Sequence, residues 1–162
     1  MTGQDREPMD VSAYCRLRID REGRWYCDGR EVVHPAIYLH FNRCLHMDSA
    51  GRYFICTGGQ TCTVEVEDAP FVVVRVEREE RASDEPGNIL IHLNDATCEP
   101  LMLNSLWIGE HNVLYCKVKE GLFHARFLRP AYYHLAEFVQ CEQSTGMFYI
   151  LHGGERYYIS GI

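Results

Sequence analysis

The chain has 162 residues, enough for one ordinary domain or two small lobes around a shared core. Sixteen Lys and Arg stand against 23 Asp and Glu, a net charge of −7, which argues against nucleic acid and anionic membranes as partners. No stretch approaches the roughly 20 apolar residues of a membrane-spanning helix, and no basic start followed by an apolar core marks a secretory leader.

Residues 1–11 are polar and read as a flexible tail. From Ala13 to Ile19, Cys15, Leu17 and Ile19 alternate with Tyr14, Arg16 and Arg18, the period of a half-buried strand. Asp20-Arg21-Glu22-Gly23 is a turn, Arg24 to Cys27 a short strand, and Asp28-Gly29 a two-residue hairpin loop returning through Arg30 to Val33. Pro35 opens a helix expected over 35–46, with Ile37, Phe41, Cys44 and Leu45 on one face. Asp48 to Gly51 turns the chain into a strand over 52–56, and Gly58-Gly59 closes a hairpin.

Cys62, Val64 and Val66 then alternate with Thr63, Glu65 and Glu67 until Asp68-Ala69-Pro70 breaks the strand, because proline lacks an N–H and excludes helix before it. Phe71 to Val76 resumes as a more apolar strand. Residues 78–88 are charged and read as a loop or linker between lobes. Strands follow at 89–93, 113–118 and 122–128, the last two forming a hairpin about Lys119-Glu120-Gly121. A helix is expected over 130–142, and a hairpin through Gly153-Gly154 closes the chain.

The closing order of Pro-led helix, Ser-x-Gly turn and Gly-Gly hairpin repeats an earlier one. A shift of 95 positions lays Pro35, Ala36, Tyr38, Ser49, Gly51, Ile55, Gly58 and Gly59 on Pro130, Ala131, Tyr133, Ser144, Gly146, Ile150, Gly153 and Gly154 without a gap. The matches fall at a helix start, a turn and a hairpin tip, where backbone geometry selects residues, so we read an internal duplication. The expected architecture is α+β, mainly antiparallel β, in two repeated lobes of one sheet or partial barrel and one helix each. The lobes are placed at 12–77 and 89–162.

Chemistry is less explicit. Glu65 and Glu67 share a strand face in this reading, with Cβ atoms roughly 6.5–7 Å apart at ~3.3 Å of rise per residue. Such a pair suits acid–base work, a metal, or hydrogen bonding to a ligand, and equally an ordinary outward strand face with Asp68 bonding its own turn. Against an anionic ligand Arg52, Arg126 or Arg129 would supply the counter-charge. Trp25 reads as a core aromatic or a stacking platform, and Asp28 as a turn residue. Tyr132-Tyr133 read as partly packed aromatics. His34, His40 and His46, spaced by six, put no two rings on one helical face, so no metal site is expected. The eight cysteines contain no C-x-x-C pair and read as reduced core residues of a cytoplasmic protein. Phosphate-cradling glycine motifs and local Cys–His nucleophile motifs are absent.

Trp25-x-x-Asp28-Gly29, then Phe41, Leu45, Gly51 and Tyr53, and above all Val64-Glu65-Val66-Glu67-Asp68-Ala69-Pro70-Phe71, carry a resemblance to the DUF1285 family of bacterial proteins of unassigned function. Gly121-Leu122 through Arg129 and Tyr132-Tyr133-x-Leu135 extend it to about the C-terminus. The family's pattern includes a Pro and a Lys before the acidic strand, where this chain has Gly58-Gly59 and no basic residue. The resemblance implies two repeated β-rich lobes, the C-terminal one pleckstrin-homology-like. It also implies a site between the lobes for a nucleotide-like molecule and a role in signalling. The leading reading is a non-enzymatic ligand-binding or signalling module, with a signalling protein as a further partner and no cofactor expected. Trp25, Glu65, Glu67, Asp68 and Arg129 are the expected lining. A small hydrolase using Glu65 and Glu67, or a protein-interaction domain with no small-molecule site, are the alternative readings.

Overall fold

The computed structural model describes residues 16–161, so the expected tail and the start of the first strand lie outside the described residues. Among the described residues sixteen strands and two α-helices form two compact units, one reaching to Ile19 and resuming over Arg24–Val66, the other made of Asp20–Gly23 and the chain from Glu67 onward.

In the first unit β1 (Leu17–Ile19), β2 (Trp25–Cys27), β3 (Arg30–Glu31), β4 (Leu45–Met47), β5 (Tyr53–Thr57) and β6 (Gln60–Val66) form one sheet in the order β3-β2-β1-β6-β5-β4. All neighbours are antiparallel except β1 and β6, which run parallel with Arg18 opposite Glu65. Asp28 and Gly29, at φ 49° and 79°, make the expected two-residue hairpin. Helix α1 (Pro35–Arg43) starts where His34, extended at φ −75° and ψ 119°, precedes its proline. It buries Asn42 rather than the expected Ile37, which is 46% exposed. Leu17, Ile19, Trp25, Leu45, Ile55 and Val64 are the buried apolar residues.

In the second unit β7 (Phe71–Arg78) is the central strand. It pairs antiparallel with β8 (Ile89–Leu93) and parallel with β12 (Phe123–Phe127). With β9 (Cys98–Pro100), β10 (Trp107–Ile108), β11 (Leu114–Val118) and β16 (Ser160–Gly161) the sheet runs β16-β10-β11-β12-β7-β8-β9. Phe71, Val72 and Val73 are all buried, so both faces of β7 are covered, and helix α2 (Arg129–Ala136) packs beside it. A bulge between Val73 and Arg75 lets the half-exposed Val74 leave that pattern. A separate sheet joins β13 (Val139–Cys141), β14 (Phe148–His152) and β15 (Glu155–Tyr158).

The unit boundary falls between Val66 and Glu67, not in the charged segment 78–88. The reason is pairing: β7 bonds only to strands of the second unit, and the charged loop joins it to its own neighbour β8. The Glu79 N–H donates to the Asn88 carbonyl at 2.8 Å across the base of that loop.

The duplication is legible in the elements. Residues of β5 plus 95 are those of β14, and Gly58 and Gly59 (φ 58° and 78°) meet Gly153 and Gly154 (φ 58° and 81°). Both helices end earlier than expected, α1 at Arg43 and α2 at Ala136, because the residues after each form a short strand, β4 or β13. The gapless shift conceals one compensated change. Leu45 pairs with Ile55 but Val139 with Ile150, and the following turn lengthens by one residue, from 48–52 to 142–147.

Candidate functional site

The β11–β12 hairpin places Tyr115 directly opposite Arg126, and β10 places Trp107 opposite Tyr115, so the three share one face of the second unit's sheet. The Trp107 and Tyr115 rings stack at 5.2 Å. Asp68 reaches this row from the turn before β7. Its carboxylate accepts the Tyr115 hydroxyl at 2.9 and 3.0 Å and the Arg126 guanidinium at 2.7 Å. His124 donates a ring N–H to the Asp68 carbonyl oxygen at 3.3 Å. Burial, then the hydrogen bond and charge of Asp68, push the Tyr115 phenol above its ordinary value. Burial works against the Arg126 charge, but Asp68 outweighs it and holds the guanidinium's pKa above its usual value.

Beside this clamp lies a concavity of about 840 Å³. Its charged lining is Arg21, Glu67, Asp68, Glu110, Arg126 and Arg129, with Tyr115, Tyr132 and Tyr133 as aromatic walls. One rim is the loop Gly109–Val113, where His111 and Asn112 sit in left-handed backbone at φ 56° and 58°. Gly109 permits the loop's approach, since a Cβ there would lie 2.7 Å from the Tyr115 ring. Arg126 is committed to Asp68, whereas Arg21 and Arg129 have no carboxylate partner among the described residues. Tyr132 and Tyr133 are 43% and 62% exposed and pack edge-to-face on each other at 5.7 Å, which leaves exposed ring surface beside the basin.

Of the five expected site residues the structure brings Glu67, Asp68 and Arg129 to this concavity. Trp25 is a correction. It is 1% exposed, donates its indole N–H to Asn42 Oδ1 at 2.8 Å and packs on Phe41, so it belongs to the core of the first unit. Glu65 stays on β6 in the first unit, exposed and opposite Arg18 in register. Because β6 ends at Val66, Glu67 does not continue its alternation, and the premise of two carboxylates on one strand face fails. Of the other expected counter-charges, Arg52 is ion-paired with Asp48 at 2.8 Å in the first unit.

Counting from the sequence misses the clamp by one residue. Walking outward from the expected Lys119–Gly121 turn pairs Tyr115 with Ala125, but the loop includes Leu122 and sets Tyr115 opposite Arg126; the arrival of Asp68 beside them needs the tertiary fold.

One other cluster has the residue types of a nucleophilic site. Cys98 Sγ lies 3.8 Å from His92 Nε2, and Glu77 lies 2.9 Å from the same nitrogen. That nitrogen carries the proton given to Glu77 and so cannot accept one from the thiol; a working triad uses the two ring nitrogens separately. Partial burial and the Glu77 charge also raise the Cys98 thiol rather than activate it. Among the described residues no group of three or more His, Cys, Asp and Glu is placed to hold a metal. Cys44, Cys56, Cys62, Cys98, Cys116 and Cys141 are free thiols, but Cys27 is disulfide-bonded, against the expectation that all are reduced.

Residues 8–151 match the profile of the family described as "Protein of unknown function (DUF2946)". The chain belongs to that family. Its fold is shared with solved DUF1285 family proteins. One from Silicibacter pomeroyi DSS-3 aligns at TM-score 0.71 and 20% identity over 99% of this chain and 90% of that one. Another, from Shewanella baltica OS155, aligns at TM-score 0.59 and 22% identity over 76% of this chain and 91% of that one. The DUF1285 likeness read from the acidic strand is therefore matched at the level of fold. No curated protein matches the chain. No helix among the described residues is long and apolar enough to cross a membrane.

Proposed function

We propose that this member of the DUF2946 family is a non-enzymatic binding module for a small, phosphate-bearing, nucleotide-like molecule, held in the concavity of its second unit. One observation carries the reading. Arg21 and Arg129 line that basin without a carboxylate partner among the described residues, beside the exposed rings of Tyr132 and Tyr133. Unpaired guanidiniums suit phosphate oxygens, and exposed tyrosine rings suit a flat heterocycle. The volume falls within the range of small-molecule sites.

Binding without turnover is favoured by what the lining holds. It contains no serine, threonine or cysteine among its residues, and its most enclosed carboxylate, Asp68, has both oxygens occupied. A ligand-responsive role in signalling, in the cytoplasm, belongs to the same proposal. The six free thiols fit a reducing compartment, with Cys27 the exception. So does a pleckstrin-homology-like assignment of the C-terminal lobe, supported by two three-stranded meanders, β7-β8-β9 and β10-β11-β12, that precede α2.

The test is thermal unfolding of the purified protein against nucleotides and cyclic dinucleotides. A ligand at 100-fold over its Kd adds about 2.7 kcal/mol, which raises the midpoint by on the order of 5 °C for a chain of this size. Arg129→Ala should abolish that rise. A panel in which no compound moves the midpoint would remove the nucleotide reading.

A further inference from the structure

A second cavity of about 280 Å³ opens in the same unit, walled by Ile108, Leu135, Val139, Phe148 and Ile159. Leu114 and Tyr132 line both this cleft and the arginine-bearing basin, so the two are neighbours across a shared wall. The cleft is mainly apolar, with Gln140 and Cys141 at its wall, and suits an apolar occupant, while the basin's unpaired guanidiniums suit an anion. Phe148 at the cleft is 48% exposed and Tyr132 at the divide 43%, so both present ring surface that an occupant would cover.

We infer that the ligand is an amphipathic anion. Its phosphate-bearing head sits by Arg21 and Arg129, and a short hydrocarbon arm passes Tyr132 into the cleft between α2, β10 and β14. The inference rests on the basin being an anion site, and it adds the chemical class of what is bound. The cleft is too small for a second drug-sized molecule, so it is a subsite for a substituent.

The cleft holds its own reporter. Cys141 is exposed and lines it, while Cys56 and Cys98, also exposed, do not. The experiment titrates n-alkyl phosphates from ethyl to octyl, below their micelle concentrations, by calorimetry, and follows alkylation of each cysteine by N-ethylmaleimide. Each added methylene should tighten binding about threefold to fourfold until the cleft is full. Octyl phosphate should slow labelling of Cys141 at least tenfold while Cys56 and Cys98 react as before, and ethyl phosphate should protect none of them. Ala136→Phe, which adds a ring at the cleft wall, should flatten the chain-length dependence, with its circular dichroism and midpoint confirming the fold.

Affinity that ignores chain length, or Cys141 labelling unaffected by octyl phosphate, overturns the inference. If nucleotides bind in that case, the proposed function stands without the apolar arm. Chain-length-dependent binding and Cys141 protection in a protein that no nucleotide stabilises would keep the amphiphile and discard the nucleotide.

Discussion

Gly23 illustrates how one residue can hold the second unit's odd segment in place. Its backbone is left-handed at φ 78°, and a Cβ there would stand 2.8 Å from both Asn94 Nδ2 and Val72 Cγ2. Asn94 accounts for the closeness: its side chain donates to the Gly23 carbonyl and accepts the Val72 N–H, each at 3.1 Å. Gly23→Ala should therefore cost more than conformation alone. The left-handed backbone contributes roughly 1–2 kcal/mol and the collision on the order of another 1. Gly29, also at positive φ but with nothing within 4 Å of its Cβ position, is the control. Thermal denaturation should show Gly23→Ala losing roughly 5–10 °C and Gly29→Ala about half as much. Equal losses would mean that the Asn94 contact contributes nothing. At the same scale Trp25 shows why a site residue read from sequence can be a core residue. A tryptophan beside a turn looks identical whether its ring faces a ligand or a buried asparagine, and only Asn42, 17 positions away, decides it.

At the scale of elements, two turns of the second unit are tied by one lysine. Lys119, in the β11–β12 hairpin, sets its ammonium 2.6 Å from the buried Asp95 in the β8–β9 turn. Burial raises the Asp95 pKa, but the Lys119 hydrogen bond, then the Thr97 hydroxyl and N–H, overcome it and hold the carboxyl below its ordinary value. A depressed folded-state pKa means that the contribution is complete above the unfolded value, about 4. It is lost as pH falls through the lower folded one. The midpoint should accordingly fall more steeply below about pH 4 in the native protein than in Asp95→Asn. Lys119→Met leaves the carboxylate buried with only Thr97 and should cost about 2–3 kcal/mol at neutral pH, roughly 5–10 °C. A loss under 1 °C would show the pair to be ornamental. The two over-extended helix expectations belong here too. Cys44-Leu45-His46-Met47 and Phe138-Val139-Gln140-Cys141 carry no Gly or Pro to stop a helix. They become strands because β5 and β14 offer them a pairing edge, which no local propensity registers.

For the whole molecule, thiol reactivity reads the fold in one measurement. Burial pushes the Cys116 thiol far above its ordinary value, and its side chain is 0% exposed on β11. Brief labelling with a maleimide, read by mass spectrometry, should tag Cys56, Cys98 and Cys141 and leave Cys116 untouched until denaturant is added. Labelling of Cys116 as fast as the exposed three would contradict the packing of the second unit's sheet.

Local sequence determined most of the elements and the repeat, apart from the one-residue change in its strand register. Alternation, proline at helix starts and paired glycines at hairpin tips are local constraints on φ, ψ and burial, and the second copy restated them. The acidic strand and the hairpin about Lys119 were read to within a residue at their ends, β6 stopping at Val66 and β12 starting at Phe123. What only the tertiary structure decided was pairing at a distance. It assigned β7 to the second unit, ran it parallel to β12, and delivered Asp68 to Tyr115 and Arg126, 47 and 58 residues downstream. Parallel pairing leaves no turn signature, and a charge clamp between remote residues has no period, so neither could be counted from one chain.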